Sequence, residues 1–507
     1  MRRRASAPSI AGALMVTSLL LSACALDRQA APDPTAPLVR PPTPTFTEGN
    51  CLMPVPKGSV VTCGTVSVPE DRTKPDGRKV QLAVARIHSH ATSPDPDPVV
   101  YLHGGPGTAT LANGIETKVT LDILDHRDLI VFDQRGAGLS DPNLECPERE
   151  AAFLQVLSAA TPWSAEISSF TTALATCYQR LTRDRHVDLD QYNTVTNAED
   201  LNDIRVALGL SQWNLWGESY GTRLAMEEMR SFPEGVRSVV LDSVYPPTAG
   251  AVDDAVRSGE RAFKALANGC AQDTACHRAI PDLNKLIDQL ATRLDATPLT
   301  VTSKPPDGGA THKLVITGDD AIGGLFTAMY DSDLIPLLPK IINDLAQGDN
   351  SIVPEIANRG IAFVDETAEG AFLSTECADN NVKIDPRVVA GLRQDPGRAG
   401  LALLASWSLF CGSWPVDALP ARFSETVHSD IPAMVFAGEY DPITPPENSR
   451  RAATDLGNAK FIEVPRGGHA VAQTTLCTLG IFTRFFDDLA KVDVGCAASM
   501  TPREFIF

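Results

Sequence analysis

The sequence predicts an α/β protein with a mostly parallel central sheet and a helical cap inserted before the last strands. Three observations predict it. Short, largely apolar runs such as Pro98 to Leu102, Asp128 to Asp133 and Val236 to Asp242 alternate with helical patterns, the signature of a sheet covered on both faces. One such run, Gln212 to Trp216, leads through a glycine-flanked turn, Gly217-Glu218-Ser219-Tyr220-Gly221, into a helix start. Between residues 247 and 415 strand signals give way to helical periodicity, in Ala255 to Ala267, Leu283 to Leu294, Ala321 to Met329 and Leu334 to Leu345.

The glycine-flanked turn organises the rest. It fits the G-x-S-x-G elbow, in which a tight strand-to-helix turn lifts a serine hydroxyl above the sheet edge. Side chains two positions either side of Ser219 would collide, so both are glycine. The helix beginning at Tyr220 aims its first N–H groups at the serine, where they can stabilise developing negative charge.

The other elements follow in chain order. Val60 to Val68 and Val80 to Ile87 read as an antiparallel pair turning at Pro75-Asp76-Gly77. After the Pro98 to Leu102 strand comes His103-Gly104-Gly105-Pro106-Gly107. This loop offers a backbone N–H from Gly104 or Gly105 to an oxyanion, with the N–H of Tyr220 as second donor; His103 braces it. Asp133 and Arg135, in Asp133-Gln134-Arg135-Gly136-Ala137-Gly138-Leu139-Ser140, are expected to lock neighbouring loops. A helix is expected from the cap Thr196-Asn197-Ala198-Glu199-Asp200. Pro432 to Ala437 returns to the sheet and precedes Asp441; Lys460 to Val464 is the last strand and precedes His469.

Ser219, Asp441 and His469 therefore lie in the chain order Ser, Asp, His, each after a strand. Asp242 and Glu439 are the alternative acids. His469 would take the Ser219 proton, Asp441 would fix its tautomer, and Ser219 would attack a carbonyl to give an acyl-enzyme that water hydrolyses. No cofactor and no metal are implied. This chemistry does not choose amide over ester.

Composition narrows the partners. Lys and Arg total 44 against 63 Asp and Glu, a net charge of −19, which argues against nucleic-acid binding. Arg2 to Arg4 followed by the apolar Ile10 to Leu21 form an export signal, and Leu21-Ser22-Ala23-Cys24 resembles a bacterial lipobox, implying cleavage before Cys24 and lipidation of its thiol. The expected organisation is a signal peptide at 1–23, a lipidated cysteine and proline-rich tether at 24–48, a catalytic body at 49–246 and 416–507, and the cap at 247–415. The body would sit on the outer face of the cell membrane. The ten remaining cysteines are an even number in an exported chain. Spacing does not fix their connectivity; nearest-neighbour pairing is expected, as Cys51/Cys63, Cys146/Cys177, Cys270/Cys276, Cys377/Cys411 and Cys477/Cys496.

The set His103-Gly104-Gly105-Pro106-Gly107, Asp133 to Ser140, Gly217 to Gly221 and Gly467-Gly468-His469 resembles the proline iminopeptidase and tripeptidyl aminopeptidase family of α/β-hydrolases. The resemblance covers most of the chain beyond the tether and is similar to secreted and lipid-anchored actinobacterial members. It implies release of residues or short peptides from free N-termini, with peptides as substrates. Proline iminopeptidases carry G-G-S-W-G at the elbow; Gly217-Glu218-Ser219-Tyr220-Gly221 departs from this and favours the tripeptidyl branch. Such an enzyme needs an anion for the substrate ammonium. Glu218, beside the nucleophile, and Glu376 and Asp379, in the cap, are the expected groups. The alternative is a lipid-anchored carboxylesterase with the same triad.

Overall fold

The computed structural model describes residues 43–113, 122–304, 310–380, 386–395, 397, 399–402 and 407–507. Cys24, the signal segment and most of the tether lie outside them. Among the described residues no helix is long and apolar enough to cross a membrane.

Nine strands form the central sheet: β1 (Phe46–Gly49), β2 (Val61–Pro69), β3 (Lys79–Ile87), β4 (Val99–Leu102), β5 (Leu129–Phe132), β6 (Trp213–Glu218), β7 (Val236–Asp242), β10 (Ala433–Gly438) and β11 (Ala459–Val464). Their order is β1-β2-β3-β5-β4-β6-β7-β10-β11. The β1–β2, β2–β3 and β3–β5 pairs are antiparallel. From β5 through β4, β6, β7 and β10 to β11 every pair is parallel. The parallel half is where the sequence shows unbroken apolar runs: all residues of β4, β5 and β10 are buried. Strands covered on both faces have no polar side to show.

β1 is a departure from the expected organisation. The tether is expected to run through Glu48, yet Phe46–Gly49 pairs with β2, and a Cβ on Gly64 would meet Phe46 and Thr47. One apolar residue in four gave no strand pattern; the pairing comes from the free edge of β2. The helix expected from Thr196 starts two residues earlier, as Thr194–Ala207, because Asn193 takes the cap and Thr196 closes a reciprocal capping box.

The cap contains the helices Ala251–Gln272, Leu283–Ala296, Gly318–Ala328, Leu338–Gln347, Val353–Asp365 and Glu369–Asn380, and a hairpin of β8 (Leu299–Ser303) and β9 (His312–Ile316). All of them but Glu369–Asn380 share a core of their own, with Leu266, Ile287, Leu314, Leu325 and Ile342. The cap also takes in chain that the sequence places in the catalytic body. Helices Pro147–Leu157 and Trp163–Gln179 follow β5; Phe153, Leu154 and Leu157 pack on the cap core, and Phe170 and Leu174 pack with Leu373, Phe410 and Trp414. Two separate excursions from the sheet therefore build the roof. All five cysteine pairs are joined as nearest neighbours: Cys51–Cys63, Cys146–Cys177, Cys270–Cys276, Cys377–Cys411 and Cys477–Cys496.

Candidate active site

The carboxyl ends of β4, β6, β7, β10 and β11 deliver the candidate residues to one edge of the sheet, where open α/β sheets place their ligands. Ser219 follows β6 with φ 55° and ψ −123°, a backbone conformation that L-residues rarely adopt. Its N–H donates to the Asp242 carbonyl at 3.0 Å, tying the turn to β7. Helix Tyr220–Ser231 begins at once. A Cβ on Gly221 would stand 1.9 Å from the Leu102 carbonyl oxygen, so the elbow passes β4 at a distance only glycine permits. The first N–H groups of a helix have no partner within it, which leaves that of Tyr220 suited to an oxyanion. The Tyr220 phenol is committed elsewhere, 2.7 Å from Thr194 Oγ1 and 3.3 Å from Asn197 Nδ2.

Gly104 faces the nucleophile. A Cβ there would lie 2.8 Å from Ser219 Cβ and 3.3 Å from Ser219 Oγ. Gly105, at φ 105°, turns the loop toward Thr108. Asp133 accepts from the N–H groups of Thr110, Leu111 and Leu139 at 2.6, 3.0 and 2.7 Å, and Arg135 makes a two-pronged ion pair with Asp200 at 2.6 and 2.7 Å. Both side chains are buried and join loops.

His469 and Asp441 meet. His469 Nδ1 donates to Asp441 Oδ2 at 2.8 Å, which leaves Nε2 as the ring's acceptor. Asp441 also accepts from the N–H groups of Ile443 and Thr444 and from Thr444 Oγ1, at 2.9, 2.8 and 2.7 Å. Burial pushes the Asp441 carboxyl up, but His469 and these donors outweigh it and hold it below the usual carboxylate range. The other two acids have different partners: Asp242 accepts from Val471 and Ala472, and Glu439 from the Arg466 N–H. From the cap, Tyr330 packs its ring 4.8 Å from the imidazole and accepts the His469 N–H on its carbonyl at 2.9 Å.

The expected substrate carboxylates divide. Glu218 is half-buried at the end of β6, and its Oε2 accepts from the Tyr101 hydroxyl at 2.6 Å. Asp379 is 5% exposed, and its oxygens accept from the N–H and Oγ1 of Thr194 at 3.2 and 2.5 Å, fastening the cap to the start of helix Thr194–Ala207. Glu376, 6% exposed, uses Oε2 for both Tyr245 Oη at 3.1 Å and Asn380 Nδ2 at 2.8 Å. Burial pushes Glu376 up to about 7 and Asp379 up to about 6, against the pull of Arg223.

Arg223 went unnoticed in the sequence. It lies one helical turn after Ser219, fully buried, with its guanidinium carbon 3.6 Å from the Tyr245 ring centre and Nη1 3.7 Å from Asp379. Its only sequence signal was the i+4 spacing from the nucleophile, which places both on one helix face. Thr444 and Tyr330 carried no signal, because their roles depend on folding distant segments onto His469.

The electrostatics predict a pH profile. Burial disfavours the His469 imidazolium, but Asp441, Asp242 and Glu218 outweigh it and raise its pKa above the ordinary value. Catalysis by a neutral imidazole then switches on later as pH rises. The acidic limb of kcat/KM is expected above about pH 6.5, the reference value for histidine. Rates measured from pH 5 to 9 check this; a midpoint below 6.5 contradicts it.

Known proteins agree with this geometry at the level of fold. Residues 97–472 match the alpha/beta hydrolase fold family. Serine protease Hip1 of Mycobacterium tuberculosis is 26% identical over 445 residues, covering 81% of this chain and 80% of its own. A tripeptidyl aminopeptidase of Streptomyces coelicolor is 26% identical over 479 residues, covering 87% and 84%. Carboxylesterase B of Mycobacterium tuberculosis is 27% identical over 420 residues, covering 78% of each. With the family matched across most of its length, and with its strand ends carrying serine, aspartate and histidine in the expected order, the chain belongs to the alpha/beta hydrolase fold family.

Proposed function

We propose that the protein is a serine aminopeptidase that removes short peptides or single residues from free N-termini through an acyl-enzyme on Ser219. The observation that carries the hydrolytic part is the Asp441–His469 hydrogen bond at the sheet edge that also holds the Ser219 elbow and Gly104. Nε2 of His469 takes the Ser219 proton as Oγ attacks the carbonyl carbon. The oxyanion is met by the N–H of Tyr220 and of Gly104 or Gly105. His469 returns the proton to the leaving amine, and a water deprotonated by His469 then releases the acyl group.

The preference for a free amine rests on charge. Glu376 and Asp379 share one buried guanidinium, that of Arg223, so the cap wall above the nucleophile helix carries more acid than base. An ammonium beside Glu376 would restore the balance and favour its ionised form. Glu218 is the second anion, joined to the nucleophile itself. The names of two relatives, a serine protease and a tripeptidyl aminopeptidase, support the peptide reading. The carboxylesterase among the relatives supports the other reading, an esterase with the same triad.

The test uses the body from residue 43 onward with Ser219→Ala as control. A free-amine tripeptidyl anilide, its N-acetylated twin, a prolyl anilide and a short acyl ester are compared. Cleavage of the free-amine anilides alone supports the aminopeptidase; cleavage of the ester alone establishes the esterase. In the same panel Glu376→Gln and Glu218→Gln are each expected to lower kcat/KM for the free-amine anilide about 10-fold or more, the weight of one charge-assisted contact, and to leave the ester within about threefold. Equal loss on both substrates removes the ammonium role.

We infer further that the protein is exported and lipid-anchored through Cys24. Five disulfides among the described residues support an oxidising compartment. Cys24→Ala should release the protein from the membrane fraction; retention there would contradict the anchor.

A further inference from the structure

The loop that carries His469 is held by β7, a strand with no place in the triad. Asp242, the last residue of β7, is 1% exposed. Its Oδ1 accepts from the Val471 N–H at 2.9 Å and its Oδ2 from the Ala472 N–H at 2.7 Å. Its neighbour Ser243, at φ 60°, accepts from the Ala470 N–H through Oγ at 2.9 Å. Three consecutive N–H groups just after the base are thus bound by two consecutive residues. The same Asp242 accepts the Ser219 N–H on its backbone carbonyl at 3.0 Å. The nucleophile elbow and the base loop are therefore fastened to one residue, and Ser219, Ser243 and Ala470 all hold positive φ angles.

We propose that Asp242, assisted by Ser243, is a positioning residue that clasps the His469 loop to the nucleophile elbow and places a negative charge behind the imidazolium. This role rests on the serine-hydrolase reading above, but not on the choice between peptide and ester.

The bonds are specific to a carboxylate. Asp242 receives two N–H groups on two different oxygens, which an amide side chain cannot do, since its nitrogen carries hydrogens. Loss of either contact frees the loop that carries the His469 ring. A misplacement of about 1 Å in such a pair costs about 10²-fold in rate. The charged and titratable groups that face Asp242 are Glu218 on β6, Tyr101 on β4 and His469 itself. Burial, with Glu218 adding repulsion, pushes its carboxyl up to about 7, while the two N–H donors and His469 pull it down. Its ionised form favours the charged state of His469.

The test compares wild type, Asp242→Asn and Ser243→Ala. The readouts are kcat and KM from pH 5 to 9, on whichever substrate of the panel turns over fastest, and the rate of labelling by a fluorophosphonate. The label reports Ser219 and His469 without any amine recognition. Asp242→Asn is expected to lower kcat and labelling about 10- to 100-fold, to leave KM within about threefold, and to move the acidic limb to lower pH as His469 loses a neighbouring negative charge. Ser243→Ala, which removes one contact and no charge, should lower kcat several-fold without moving the limb. An Asp242→Asn enzyme with kcat within threefold of wild type, or with reduced kcat and an unmoved limb, overturns the proposal. If Asp242→Asn does not fold, Ser243→Ala decides: reduced kcat and labelling at unchanged KM support the clasp, and unchanged rates overturn it. A wild type that resists the label overturns the serine-hydrolase reading and the clasp's catalytic role with it.

Discussion

Replacing Ser219 with alanine is expected to lower kcat by about 10⁶-fold, and replacing Asp441 with asparagine by about 10⁴-fold, with KM little changed in both. The first change removes the nucleophile. The second leaves the shape of the site in place but reverses one hydrogen bond. Asp441 Oδ2 accepts from His469 Nδ1 and from Thr444 Oγ1, while Oδ1 accepts from two backbone N–H groups. With Oδ1 fixed by those N–H groups, an asparagine must turn its NH₂ toward the histidine. His469 would then accept on Nδ1 and carry its proton on Nε2, where it cannot take the Ser219 proton. The variant should also lose its raised acidic limb, since Asp441 leads the groups that support the imidazolium. Circular dichroism and steady-state kinetics on the same preparation check the pair. An Asp441→Asn enzyme within tenfold of wild type would return the acid's role to Asp242.

Gly104→Ala carries the second largest effect, a loss of about 10²–10³ in kcat or more, the magnitude of one missing oxyanion donor. The new Cβ would stand 2.8 Å from Ser219 Cβ, 3.3 Å from its Oγ and 3.3 Å from the Glu218 carbonyl oxygen. The first of these contacts is closer than real Cβ atoms come. Neither neighbour can swing aside, because Ser219 is locked in the elbow by the Asp242 carbonyl and by its own φ of 55°. The oxyanion loop must move instead, taking its N–H away from the carbonyl oxygen it should meet. Gly104 itself lacks a positive φ, so alanine adds no backbone strain, and the loss of stability is that of overpacking alone, about 1–3 kcal/mol. Thermal melting separates this from unfolding; a variant with unchanged Tm and activity within threefold would exclude Gly104 from the oxyanion site.

Where the physics is local, residues in the sequence sufficed. Parallel strands covered on both faces must be apolar throughout, and Val99–Leu102, Leu129–Phe132 and Ala433–Gly438 read so. A nucleophile elbow needs glycines, and Gly217 and Gly221 mark it. Nearest-neighbour cysteine pairing, expected but not fixed by spacing, is what all five disulfides show. The misses share a cause. Phe46–Gly49 is a strand because β2 offers it an edge, not because of its own pattern. Helices Pro147–Leu157 and Trp163–Gln179 join the cap because Phe153, Leu157 and Phe170 find apolar partners far along the chain.

The sequence by itself determined the fold class, the elbow and the order of Ser219, Asp441 and His469, since each depends on spacing and residue type within a short stretch. Only the tertiary structure decided which carboxylate does what. Asp441, Asp242, Glu439, Glu376 and Asp379 are chemically alike in the sequence. What separates them is whether folding sets each beside an imidazole, a row of backbone N–H groups, or a buried guanidinium, and burial makes that choice of partner decisive for the charge each one holds.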